Sequence, residues 1–388
     1  SIGKTQSQLL QTQQQIAAMR RILTPSDDPI GSATAVGLRQ TQARTDRFDS
    51  SIASAKDALG QSDTSLSAIV NLLQNARTTT ISAGNSTLND ADRKTLANSL
   101  SQQLDQLVGL ANSKDGNGNY TFAGFQVNTQ PFVHTAAGVT YDGDSGVRSV
   151  QVDAGRQMPV SVAGDALFLA NPTGNGTFTA SAAAANTGTA VVGATQVVNG
   201  TPTSGHSFQV NFNVVGGVTT YAVVDTTLAT TVSSGNPYAS GNAITVGGMQ
   251  FTSTGAPVAG DSIVVAPAAR QSVFDTLANL VNALNTPASN DASRAQLANR
   301  LADGLQNLNQ ALENVMTHQA QGGAQLTELD SLSSINSGRS IAYATTLSRI
   351  EDLDYTQATT DFAKQQLALE AAQKSFLTVS GLSLFSLM

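Results

Sequence analysis

The sequence is short of most of the groups from which enzymes and metal sites are built. It has no cysteine, which removes disulfide scaffolds, thiolate metal sites and thiol nucleophiles together. It has no tryptophan, only 5% aromatic residues, and three histidines, His134, His206 and His318, far apart along the chain. Charged residues make up 12%, with 20 basic against 27 acidic and a net charge of -7. No Lys/Arg cluster offsets that acidic balance, so no nucleic-acid partner is expected. No apolar run approaches the ~20 residues of a membrane span, and no cleavable signal pattern is visible, so no membrane insertion is expected. At roughly 100–200 residues per domain, the 388 residues correspond to two to four domains.

Proline and glycine divide what is present. Prolines stand at positions 25 and 29, then not again until Pro131, and none follows Pro287. Of the 33 glycines, 22 lie between Gly116 and Gly260, and no Lys or Arg occurs between Arg156 and Arg270. The ends therefore read as helical and the middle as strands and turns. The fold class is α+β: a discontinuous long-helix, coiled-coil-like bundle from both chain ends, carrying an inserted antiparallel β-rich domain.

The ends repeat every seven residues. Leu9, Ile16 and Leu23 keep that spacing, and so do Ile52, Leu59, Leu66 and Leu73, with Ala55, Ser62, Ile69 and Ala76 alternating. Near the C-terminus Phe362, Leu369 and Phe376 form one line, and Gln365, Ala372 and Val379 the other. Leu297, Leu301, Leu308 and Val315 add a helix with 4-7-7 spacing. Such repeats favour a left-handed supercoil of long helices; an ordinary bundle uses the same packing.

In the middle, Ser207–Val214 alternates polar and apolar residues and Thr219–Val224 follows after Gly216-Gly217, which predicts a hairpin. Val139–Tyr141 and Ser149–Val152 flank the turn-rich Asp142–Gly146, and Ala182–Ala185 is a short helix or a loop. No active site emerges. Asp115-Gly116-Asn117-Gly118-Asn119 begins like a calcium loop, but Tyr120 replaces the sixth-position glycine and Gln126 the twelfth-position glutamate, leaving a tight turn into a strand. Asp142 and Asp144 read as turn residues, and Gly174-Asn175-Gly176 lacks the setting of a dinucleotide loop. His318 reads as a satisfied residue on a helical seam, and the sequons at Asn85, Asn175 and Asn199 are short enough to be chance. The expectation is no enzyme, no metal and no cofactor.

Thr24-Pro25-Ser26-Asp27-Asp28-Pro29 is the most informative stretch. Pro25 and Pro29 break a continuous helix, and Asp28 before Pro29 suits an N-cap with proline at the first helical position. Both carboxylates, Asp27 and Asp28, would face the positive end of the new helix. Physically this is a sharp joint between two helices.

At this joint the chain resembles the bacterial flagellin family, through Arg20-Arg21-Ile22-Leu23-Thr24-Pro25-Ser26-Asp27-Asp28-Pro29. Asp352-Leu353-Asp354-Tyr355, the run Gln365–Ala372 and the terminal Ser383-Leu384-Phe385 resemble the family's hook–filament junction branch. Tyr120-Thr121-Phe122-Ala123-Gly124 and Thr129-Gln130-Pro131-Phe132 are similar to that branch's entry into its β domain. The resemblance covers roughly residues 1–170 and 260–388. Met19 stands where the family commonly has glycine, so the first helix is expected to run further toward Pro25. Family members normally carry residues upstream of the position of Ser1.

The resemblance implies a structural subunit of the extracellular flagellum, secreted by type III export. It implies a junction role, with hook-associated protein 1 and flagellin as neighbours, self-association in a ring and an export chaperone as further partner. Its domains would be an inner-tube assembly arm at 1–30, a helical body at 31–115 and 271–350, an outer β-rich domain at 116–270, split near 170, and a second arm at 351–388. The assembly interface would comprise Leu9, Ile16, Leu23, Phe362, Leu369, Phe376, Leu384 and Phe385, and the joint Pro25, Asp27, Asp28 and Pro29. Burying Phe362, Leu369 and Phe376 contributes about 5–9 kcal/mol. Ordering some 25 tail residues costs roughly 25–50 kcal/mol, so the arms are expected to be mobile in the monomer and to order on assembly. Two other readings stay open: flagellin itself, against which the Ser383-Leu384-Phe385 ending argues, and an adhesin or fibre protein whose Thr/Gly-rich β region binds a ligand.

Overall fold

The computed structural model describes residues 2–136, 138–198 and 205–385, with side chains up to residue 379 at the C-terminal end. The sequon at Asn199 and the side chains of Leu384 and Phe385 lie outside the described residues. Six helices, α1 (Ile2–Ala18), α2 (Pro29–Ala83), α3 (Asp90–Ala111), α4 (Val273–Asn285), α5 (Asp291–Glu351) and α6 (Tyr355–Phe385), come from the two ends of the sequence, and strands fill the middle. The chain divides into two compact units.

One unit holds the chain up to Ser54, Gln151–Gln157 and the chain from Glu328 onward. Here α1 packs on α6, and the first half of α2 is tied to the end of α5 by an Arg39–Glu351 ion pair. Strands β1 (Phe132–Thr135) and β2 (Gly138–Tyr141) form a hairpin in the other unit; β3 (Ser149–Asp153) and β4 (Arg156–Pro159) form another, whose tip lies in this unit. The tip of the β3–β4 hairpin is held to α5 by Arg156–Glu328 at 2.8 Å and Arg339–Asp153 at 3.6 Å.

The other unit, Ala55–Val150 with Met158–Thr327, holds two cores. In the first, the seven-residue line of α2 is buried at Leu66, Ile69, Leu73 and Ala76, against Leu100 and Leu107 of α3, Leu277 and Leu280 of α4, and the 4-7-7 line of α5. Capping starts these helices where the sequence changes. Asn89 Oδ1 accepts from Ala91 N and Asp92 N at the head of α3, and Ser272 Oγ accepts from Phe274 N at the head of α4. Phe122, Phe132, Phe168 and Phe274 form a cluster with centroids 5.1–5.5 Å apart, edge-to-face for Phe122–Phe168 and Phe132–Phe168, tilted for Phe132–Phe274 and stacked for Phe168–Phe274. Phe122 and Phe132 therefore belong to the helical core, while Phe125 between them stays exposed.

After β5 (Asn171–Pro172), the second core lies between two antiparallel sheets. One has five strands: β6 (Phe178–Ala182), β8 (Phe208–Val215), β9 (Val218–Asp225), β10 (Thr230–Pro237) and β13 (Ser262–Pro267), in the order β10-β9-β8-β13-β6. The other has three: β7 (Val191–Val197), β11 (Ala243–Val246) and β12 (Met249–Thr254), in the order β11-β12-β7; β14 (Arg270–Gln271) pairs with β5. Phe178, Val210, Phe251, Ile263 and Val265 fill the space between the sheets. The Gly216-Gly217 hairpin forms as expected: φ values of +61° and +82° give the two-residue turn that joins Val215 to Val218.

Three expectations need correction. The helix does not run past Met19: α1 ends at Ala18, and Met19 takes φ +53°, the left-handed geometry that glycine would adopt without strain. Leu23 consequently leaves the Leu9–Ile16 line and sits in the joint, outside any helix. Tyr120 enters only an isolated bridge with Lys114, because the turns on either side leave no run to pair. Of the two readings for Ala182–Ala185 the loop holds from Ala183 onward: Ala182 ends β6, and Ala183 N and Asn186 Nδ2 both bond to Ser262 O.

Candidate assembly interface

The joint is built by carboxylates that accept backbone N–H groups. Asp27 Oδ2 accepts from Leu23 N at 3.0 Å and Thr24 N at 2.7 Å, while its Oδ1 accepts from Gln11 Nε2 on α1. Asp28 Oδ1 accepts from Gly31 N at 2.8 Å, the N-cap bond for α2, with Pro29 as the first helical residue. These amide donors hold both carboxyls below the usual carboxylate range, Asp27 through Thr24 and Leu23 and Asp28 through Gly31. Gly31 is required by close approach: a Cβ there would lie 2.5 Å from Asp28 Oδ2 and 3.0 Å from Ile22 Cδ1.

The same joint fastens the C-terminal break. Arg21 donates from Nε and Nη2 to Ile350 O, its backbone N donates to Glu351 O at 2.8 Å, and its Nη2 pairs with Asp28 Oδ2 at 3.2 Å. One arginine thus caps the last two carbonyls of α5, Ile350 O by its guanidinium and Glu351 O by its backbone N, and its guanidinium steadies the N-cap of α2. Leu353 N donates to Met19 O, and Arg20 bridges Asp352, so the two helix breaks lie side by side. Arg21, Gly31 and the Arg39–Glu351 pair are joint residues that sequence reasoning did not single out. Their signal was present only as charge and glycine beside the Pro-Ser-Asp-Asp-Pro motif.

Beyond the joint, the α1–α6 pair hides little of its apolar surface. Leu9 and Ile16 on α1 and Phe362 and Leu369 on α6 are half-buried, Phe376 is 63% exposed, and Leu367, Leu377 and Val379 are exposed with it. The structure brings Leu9, Ile16, Phe362 and Leu369 to one helix pair, puts Leu23 in the joint, and leaves Phe376 facing outward. Several large apolar side chains left open on one helix pair mark an interaction surface. Elsewhere, Asp115 Oδ1 accepts from Asn117 N and Asn119 N in its own turn, and Asp144 Oδ1 accepts from Phe125 N and Gly146 N. Among the described residues no group of His, Asp and Glu is placed to hold a metal ion, and no helix is long and apolar enough to cross a membrane.

A pair of broken helices brought together from the two chain ends, with a β domain looped out between them, defines a flagellin-like subunit. The family described as the bacterial flagellin N-terminal helical region matches residues 1–127. Flagellar hook-associated protein 3 of Escherichia coli K12 is 28% identical over 387 residues, covering 100% of this chain and 95% of that protein. The solved structure of flagellar hook associated protein-3 from Legionella pneumophila is 31% identical with a TM-score of 0.76, covering 81% of this chain and 98% of that one. That of Xanthomonas campestris FlgL is 30% identical with a TM-score of 0.74, covering 80% and 99%. The chain belongs to the flagellar hook-associated protein 3 family, and it is a structural component of the bacterial flagellum.

Proposed function

We propose that this chain forms the hook–filament junction, its terminal helices seated between hook-associated protein 1 on the hook side and flagellin on the filament side. The observation that carries this reading is the uncovered apolar seam of the α1–α6 pair. Leu369 is half-buried and Phe376 is 63% exposed even with both ends paired. That surface stabilises nothing in the single chain, and burying it against neighbouring subunits contributes about 1.5–3 kcal/mol per large side chain. Ordering the arms costs about 1–2 kcal/mol per residue, so the arms gain their stability on assembly, which suppresses premature polymerisation. An unassembled chain then presents an apolar C-terminal segment, the substrate for an export chaperone. By this reading the arms would be residues 1–30 and 351–388, the helical body 31–115 and 271–350, and the outer β-rich domain 116–270, whose Phe122 and Phe132 pack in the helical core.

The test is immunogold electron microscopy of isolated flagella with antibody to residues 116–270. One gold band between hook and filament is the expected result. Label along the whole filament would make the chain a flagellin, and no label on flagella would revive the adhesin reading.

A further inference from the structure

The first half of α2 carries two charged flanks of opposite sign, neither with an ion-pair partner among the described residues. Arg44, Arg47, Phe48 and Ser51 follow i, i+3, i+4, i+7 spacing and share one face of the helix. With Gln151 and Ala154 of the β3–β4 hairpin they line an open groove of about 420 Å³. Neither guanidinium has an ion pair or side-chain hydrogen bond among the described residues, whereas Arg21, Arg39, Arg156 and Arg339 in the same unit all have carboxylate partners. The groove's own walls supply only an amide, a hydroxyl, a phenyl ring and a methyl group, so nothing lining it carries a negative charge.

Asp46 and Asp49 each lie two residues beyond an arginine, about 200° round the helix and roughly 3 Å along it. They therefore face away from the groove at nearly the same height. Asp46 is exposed and its carboxylate has no cationic partner among the described residues. Asp49 is half-buried, and its Oδ1 is fully covered yet has no hydrogen-bond partner. A cation delivered from outside can reach the exposed Asp46 carboxylate and the part of Asp49 that stays open, not the covered Oδ1.

We infer that the Arg44–Arg47 groove of one copy receives the Asp46–Asp49 flank of a second copy of this chain. Because the two flanks sit on opposite sides of one helix at the same level, the contact is head-to-tail. Repeated, it generates a ring or a helical turn of subunits and not a closed pair. Charge complementarity of this kind sets register and partner choice more than raw affinity, which suits a subunit that must pack beside its own kind in a layered tube. This contact rests on the junction reading above.

The test uses the absence of native cysteine. Full-length Arg47→Cys and Asp46→Cys chains, both exposed substitutions, are co-expressed in cells lacking their own copy. Isolated flagella are then treated with a short bismaleimide linker. The expected result is a covalent dimer in the mixture at least about tenfold above either variant alone. Both chains present in flagella by immunoblot without a dimer overturns the contact and leaves the junction reading standing. Absence of native-sequence chains from flagella overturns both. As a second variant, the Arg44→Glu/Arg47→Glu chain should incorporate on the order of tenfold less than native, and adding Asp46→Arg/Asp49→Arg should restore it. Failure of the fourfold variant to recover, with its circular dichroism unchanged, also counts against the pairing.

Discussion

Asp303 is the residue at which the structure makes its most quantitative prediction. It lies on the inner side of α5, half-buried, within hydrogen-bonding reach of Ser181 on β6. Burial raises its pKa from 3.8 to about 6, against a smaller opposing pull from the Ser181 hydroxyl. Arg300 is the other charged residue lining the surrounding cavity of about 440 Å³. The facing positions on β6 and α4 are neutral: Thr179, Ser181, Thr276 and Asn279. Because the folded form holds its proton more tightly than the unfolded form, the native state binds more protons between pH 3.8 and about 6, and stability falls across that window as pH rises. Above it the full cost is in place, at most about 3 kcal/mol from the difference of about two units. Asp303→Asn keeps the shape, cannot ionise, and should be more stable than the native chain at pH 7.5 by up to that amount, the advantage shrinking to nothing near pH 4. Urea unfolding of both chains from pH 4 to 8, followed by circular dichroism, isolates this group from the other carboxylates by difference. An advantage that is independent of pH, or that grows as pH falls, would refute the reasoning.

Other substitutions probe separate links. Asn299→Ala should cost about 1–3 kcal/mol, because Val192 N and Ala190 O, which its amide satisfies at 2.8 and 3.0 Å, become buried and unpaired; amide exchange at Val192 reads it directly. Gly304→Ala places a Cβ 2.4 Å from Leu280 Cδ2 and should destabilise the α4–α5 contact by about 1–3 kcal/mol in thermal unfolding. The Asp27 and Asp28 carboxyls are lowered by their amide donors, so their contribution to the joint is present above pH 3.8 and lost as pH falls through their depressed values. Amide exchange at Thr24 and Gly31 should therefore accelerate only in strongly acidic solution. Replacing Leu369 and Phe376 by serine should leave the body folded and soluble but abolish incorporation into flagella; normal filaments from such a strain would remove these residues from the interface.

Much of this architecture is legible from local physics. Asp28-Pro29 placed the start of α2 because an N-cap followed by proline leaves the chain little choice, and Gly216-Gly217 placed a hairpin for the same kind of reason. What was not legible depends on partners distant in sequence. Along α5, Gln296, Asn299, Asn307 and Asn314 form a stripe of amides beside the apolar 4-7-7 line. They bond to backbone groups of Asn186, Ala190, Val192, Gly174 and Leu167. Spacing shows that such a stripe exists, but a solvated helix face has the same composition. Only the β domain lying against it turns these amides into a docking surface. Met19 failed for the opposite reason: its left-handed φ is imposed by the joint, and side-chain identity does not report it.

The seven-residue repeat makes the same point in the other direction. In α2 the repeat from Leu66 to Ala76 is buried almost completely, because α3, α4 and α5 are present to cover it. In α6 the same spacing from Phe362 to Phe376 remains half-covered or open, although α1 lies along it. The sequence rule is identical in both places, so the difference lies in what is available to pack. A repeat that one chain cannot bury is stable only where other chains complete it. The terminal repeat therefore encodes an assembly, while the inner one encodes a fold.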